Sequence, residues 1–187
     1  MPELDPISKE NRTAETERVN SFAEVDVVAI LQEQGWMVGE PNEQQAAWCA
    51  HAAALLGPQA ADRAGLLALV GLVFRYEAQE ILNTTEAHVV MSRYAARDVL
   101  RQMALLLLDG VALNTDRFRE IIDKLKTGLD IRGRELFHPL RLSLAGRSGE
   151  GELDRVILLL DEAAAAGFVA PVKTARERIL EFCSVLG

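Results

Sequence analysis

Cysteine is scarce in this 187-residue chain: Cys49 and Cys183 stand far apart, with no Cys-x-x-Cys or Cys-x-x-His spacing. Neither a disulfide framework nor a zinc site is expected from them. Both fall in apolar helical runs, which predicts buried, reduced thiols. Aromatic residues make up only 5% of the chain, too few for a fold whose strands are built from branched and aromatic side chains. Long hydrophobic runs are missing as well. The strongest, Met103 to Leu108, is far shorter than the roughly 20 residues needed to span a bilayer. Residues 1–20 hold Pro2, Pro6 and alternating charges with almost no large apolar side chains. They lack the apolar centre of a secretory signal and are expected to form a tail. These absences predict a soluble, cytoplasmic protein with no cofactor, no metal and no membrane association.

Positive charge is absent over one long stretch. Between Arg18 and Arg63 there is no lysine or arginine, while Glu24, Asp26, Glu33, Glu40, Glu43 and Asp62 are all acidic. With a net charge of −8 and a pI near 5.0, the chain is not one that coats nucleic acid indiscriminately, because phosphate binding runs on surplus Lys and Arg. From Asn114 to Arg147 the balance reverses, with eight basic residues against five acids. Any nucleic-acid contact is expected there, and the acidic half is the expected face for a protein partner.

What is present in abundance is Ala and Leu: 49% of the residues are hydrophobic, which favours close-packed helices. Apolar residues recur at helical spacing from Ser21 to Gln34, from Pro41 to Leu56, from Ala60 to Leu82, and from Ala87 to Leu108 as one helix or two joined near Ser92. Phe118, Ile121, Ile122 and Leu125 repeat at i, i+3, i+4, i+7, and two further helices follow Gly151 and Pro171. No alternating strand or hairpin turn is found. The expected fold is all-α, a bundle of about seven to eight helices, divided near Leu113 into subdomains 21–113 and 114–187.

No catalytic constellation accompanies these helices. His51, His88 and His138 are isolated in sequence. Ser143 lies in no Gly-x-Ser-x-Gly elbow, and no Gly-rich phosphate loop follows a strand. Glu77 and Glu80 lie one turn apart without the Glu-x-x-His pairs of a di-metal bundle. Trp36 and Trp48, in an Arg-free region, are read as core residues or as a protein contact.

The densest signal is Ile131 to Arg147, which packs four arginines, two glycines and a proline into seventeen residues. Pro139 suits the first turn of a helix. Leu140, Leu142 and Leu144 then enter the core while Arg141 reaches outward or ties a neighbouring turn, and Gly146 ends the helix. His138 is read as a packed or capping histidine.

The run Gly133-Arg134-Glu135-Leu136-Phe137-His138-Pro139-Leu140-Arg141, followed by Leu144-Ala145-Gly146 and then Glu152-Leu153, resembles the C-terminal anticodon-binding domain of bacterial class I glutamyl-tRNA synthetases. That family commonly carries Gly-Arg-x-Leu-Phe-x-Pro-Leu-Arg, an apolar turn, Thr-Gly, and a Gly-Pro-Glu-Leu that opens the next helix. The similarity extends over about Asp116 to Leu160. Ala145 stands where the family usually has Thr, and Glu150-Gly151 replaces the Gly-Pro. The nucleotide-binding catalytic domain, with its His-x-Gly-His-type motif and Lys-rich loop, has no counterpart here, so the chain cannot activate an amino acid by itself.

The resemblance implies an anticodon-binding-domain-like fold and a non-catalytic tRNA-binding module, free-standing or part of a larger synthetase. The residues it points to for RNA contact are Lys124, Lys126, Arg132, Arg134 and Arg147. Pro139, Arg141 and Gly146 are read as the structural motif. The alternative is a helical protein-protein interaction module that kept the fold and lost RNA. An unrelated helical enzyme is a third reading, which would require a polar pocket.

Overall fold

The computed structural model describes residues 19–187. The expected tail therefore falls largely outside the described residues, although Asn20 is anchored: its side-chain amide donates to the Ala53 carbonyl at 3.0 Å. The described chain is all-helical. Its α-helices are α1 (Glu24–Glu33), α2 (Glu43–Leu56), α3 (Arg63–Phe74), α4 (Ala78–Leu82), α5 (Thr85–Met91), α6 (Ala96–Leu107), α7 (Thr115–Leu129), α8 (Arg134–Ala145), α9 (Glu152–Leu158), α10 (Leu160–Ala165) and α11 (Ala175–Leu186). A single 3-10 turn, Gly57–Gln59, follows α2. None of these helices is long and apolar enough to cross a membrane.

The starts of the helices follow local chemistry. Asn42, Asp62, Thr84, Asn114 and Thr174 each accept a backbone N–H from the first turn of the helix they precede, satisfying donors that would otherwise have no partner. At Thr174 the Glu177 carboxylate reaches back to the Thr174 N–H at 2.7 Å, closing a capping box. Gly146 takes φ +83° and its N–H bonds to the Leu142 carbonyl, stopping α8 where expected.

Eleven α-helical segments exceed the expected seven to eight, and two of the three extra breaks coincide with long-range hydrogen bonds. Ala60 to Leu82 is not one helix. Arg75 and Glu77 are extended, and Tyr76 between them puts its hydroxyl within hydrogen-bond reach of the Ser143 and Arg178 carbonyls. The Glu181 carboxylate then accepts from the Ala78 N–H at 3.0 Å, capping α4 from another helix. Contacts distant in sequence override a locally continuous helical pattern. Residues 87–108 split at Ser92 to Ala95, as one of the two expected arrangements had it. A further break at Leu159 separates α9 from α10. The Leu159 carbonyl accepts the Trp48 indole N–H at 3.0 Å as well as the Ala163 N–H.

Pro139 is a correction. It is the sixth residue of α8 rather than part of its first turn. It removes the intrahelical donor to the Glu135 carbonyl, and Glu135 is exposed to solvent. The apolar side of the expectation holds: Leu140, Leu142 and Leu144 are all fully buried.

α8 is the central element, packed against α5, α6, α9 and α11, while α1 lies on α2 and α3 on α9. A single cluster of buried side chains runs from Val27 through Leu66 and Leu140 to Phe182. At one end Trp36 stacks on Phe74, with ring centroids 4.8 Å apart, and Trp48 and Phe168 meet Phe74 edge-on. Both tryptophans are thus core residues. Cys49 is buried and Cys183 half-buried, both unbridged. Burial pushes the Cys49 thiol up to about 12.

Candidate nucleic-acid interface

The α7–α8 connection is shaped by two unusual backbone positions. Asp130 ends α7 in the left-handed region at φ +51°, and Gly133 opens α8 at φ +58°, ψ −137°, a conformation that glycine adopts without a Cβ clash. This bend leaves a concavity of about 560 Å³ lined by Asp123, Lys126, Thr127, Asp130, Arg132, Gly133 and Phe137. Phe137 is its aromatic wall. The ring is half-buried, with Lys126 Nζ 5.9 Å and the Arg141 guanidinium 4.7 Å from its centroid.

The residues predicted to touch RNA do not all converge on this place. Lys126 and Arg132 line the concavity, and Arg134 is the first residue of α8 beside it. Lys124, two residues before Lys126, points to a different side of α7. There it bonds Glu120 at 2.6 Å and lines a separate hollow with Asp109 and Arg117. Arg147 lies past the opposite end of α8, separated from Arg134 by about 18 Å of helix. Lys126, Arg132, Arg134 and Arg147 have no carboxylate within 4.0 Å among the described residues. Lys124, Arg117 and Arg119 are each paired with an acid on the same or the preceding segment.

Arg141 has the structural part. It is buried, its Nε and Nη2 fork onto the two Asp154 carboxylate oxygens at 2.8 and 2.9 Å, and its Nη1 donates to the Gly149 carbonyl. One side chain so ties α8 to the connection after it and to the first turn of α9. Nearby, the Ser148 N–H donates to Glu86 at 2.9 Å, which fastens the same connection to α5.

The geometry can be set beside known proteins. A similar protein is the glutamate–tRNA ligase 2 of Syntrophus aciditrophicus (strain SB), 29% identical over 97 residues, a match that covers 51% of this chain and 20% of that protein. The chain has distant likeness to part of a glutamate–tRNA ligase. It spans about a fifth of the length of that relative. No protein-family profile matches it, and no solved structure does.

Sequence reasoning missed two arginines. Arg178 of α11 is fully buried, and its guanidinium donates to the carbonyls of Leu72, Val73, Leu144 and Lys173. It also lies 4.5 Å from the Tyr76 ring centroid. Burial lowers its pKa to about 10, which still leaves it charged at neutral pH. Its position on α11 at the spacing of Ala175 and Ile179 was the available signal, because that face is apolar. Arg93, between α5 and α6, reaches His138 on α8, with Nη1 2.8 Å from Nδ1. Nothing in the sequence pairs two residues so far apart. No group of three or more His, Cys, Asp or Glu side chains that could hold a metal occurs among the described residues.

Proposed function

We propose that this chain is a non-catalytic tRNA-binding module related to the anticodon-binding part of a glutamate–tRNA ligase. Single-stranded RNA is bound at the α7–α8 connection. The observation that carries this reading is the concavity in which an aromatic wall, Phe137, adjoins Lys126, Arg132 and Arg134, none of them ion-paired within 4.0 Å among the described residues although Asp123 and Asp130 share the lining. RNA recognition commonly uses such a combination: an unstacked base against an aromatic ring and phosphates on Lys and Arg. Arg147 and Lys124 are outlying contributors, reached only by a ligand that runs along α8 or over α7.

Titration with total tRNA at two salt concentrations tests the reading. Micromolar or tighter binding is expected. With about three phosphates engaged, log K should fall with log salt at a slope of about −2, and the slope should shrink in the Arg134→Ala variant. No binding at low salt overturns the proposal.

A protein-interaction role is the second reading. It is favoured by Val25 and Val38, 71% and 75% exposed on the acidic, Arg-free half. An apolar, negatively charged surface of this kind suits a basic partner. A pull-down that depends on Val25 and Val38, from protein that fails to bind tRNA, would select it.

A further inference from the structure

The Arg93–His138 pair imposes a protonation state. A guanidinium has donors only, so His138 Nδ1 accepts from Arg93 at 2.8 Å. The imidazole is therefore neutral, with its proton on Nε2. Arg134 stands one turn before His138 on α8 and Arg141 nearly one turn after it, both on the same side of the helix. Burial and then the charges of Arg93, Arg134 and Arg141 hold the His138 pKa below its ordinary value, while Glu150, on the connection after α8, acts in the opposite direction.

Arg141 is already committed to Asp154 and Gly149. Arg93 and Arg134 are not: neither has a carboxylate within 4.0 Å among the described residues. Arg93 and His138 are half-buried and Arg134 is exposed, so the group is sheltered on one side and open on the other. Arg93 and Arg134 repel one another and oppose a charge on His138, Glu150 acts against them, and an anion relieves the repulsion.

We propose that Arg93, Arg134 and His138 form a binding site for a tetrahedral oxyanion of the phosphate or sulfate type, and that binding takes up one proton on His138. The arriving anion accepts from Arg93 and Arg134. Arg93 thereby releases Nδ1, which takes a proton from solvent, and both ring nitrogens become donors. This goes beyond RNA binding, since a free anion and a backbone phosphodiester offer the same oxygens. Affinity rises as pH falls through the window between the His138 pKa of the bound protein and the lower one of the free protein.

The histidine ring protons of the whole chain, followed by NMR across pH in sulfate and in chloride of equal ionic strength, test this. Sulfate keeps its charge throughout that range. The resonance missing from His138→Gln identifies the group, and circular dichroism confirms that each variant folds. Saturating sulfate should raise the His138 pKa by about one unit and leave His51 and His88 where chloride leaves them. In Arg93→Ala the anion-free pKa should rise, and the sulfate response should fall to a small fraction.

A uridine heptamer as a second probe separates the sources. A His138 response to both ligands supports the site with a backbone phosphodiester as occupant, and a response to sulfate alone supports it with a small free anion. An identical His138 titration in sulfate and chloride overturns the proposal. If sulfate shifts His138 while tRNA fails to bind, the RNA reading falls alone; if tRNA binds and sulfate leaves His138 unmoved, this inference falls alone.

Discussion

Arg178 and Arg134 carry the same guanidinium on two helices that pack together, in opposite circumstances. Arg178 is fully buried and donates to four carbonyls from three separate parts of the chain. Arg134 is exposed and has neither a carboxylate nor a carbonyl partner among the described residues. A buried guanidinium with its donors satisfied joins elements that would otherwise leave carbonyls bare. An exposed one with no partner keeps its charge available for a ligand. Arg density alone does not tell these apart, and the Ile131–Arg147 stretch contains both kinds, since Arg141 belongs with Arg178.

The strongest way to break this comparison is Arg178→Ala. It strips partners from the buried carbonyls of Val73 and Leu144 and leaves a cavity, so a loss of about 3–5 kcal/mol, or failure to fold, is expected. Urea denaturation measures it, and a loss below about 1 kcal/mol would mean that the bonds around Arg178 are dispensable. Arg141→Ala comes next. It leaves Asp154 unpaired, and about 2–3 kcal/mol should be lost in the same assay.

Arg134→Ala should behave in the reverse way. Stability should change by no more than about 0.5 kcal/mol, while tRNA affinity drops by about tenfold at low salt. A large stability loss here would place Arg134 with Arg178 and remove the distinction.

The smallest expected effect lies at alkaline pH. The Cys49 thiol is raised from its ordinary value of 9.0 to about 12 by burial first, then by the charge of Glu24. A folded pKa above the unfolded one means that the contribution is complete below pH 9.0 and is lost as pH rises toward 12. Burial also raises Tyr76, opposed by Arg178, and acts in the same direction. Chemical denaturation should therefore show a decline of about 1 kcal/mol from Cys49 between neutral pH and pH 10, absent in Cys49→Ala.

Most of the fold was legible because helix signals are local. Apolar residues at helical spacing marked α1, α2, α7 and α11, and Gly146 occupies the left-handed position that ends α8, whereas the Asp62 cap starts α3 at Arg63 rather than at the expected Ala60. The break between α3 and α4 was not legible. Leu66 to Leu82 reads as continuous helix until Tyr76 is drawn toward α8 and α11, and those bonds join residues 67 to 103 positions apart. Pro139 misled for a related reason. Its ring is accepted deep in α8, where a local rule puts proline in the first turn.

The candidate site was half legible. Charge reversal after Asn114 drew attention to Lys126, Arg132 and Arg134. The reversal counted Lys124, which Glu120 neutralises, and missed Arg93, which only the packing of α5 and α6 on α8 brings to His138.

By itself, then, the sequence determined what depends on neighbours within a turn or two: helical class, caps, stops, the apolar faces and the acidic and basic halves. Tertiary structure alone decided which arginines are neutralised and which histidine meets a guanidinium. Charge is a property of a residue, but pairing is a property of two residues in space. Here the partners come from helices far apart in the chain.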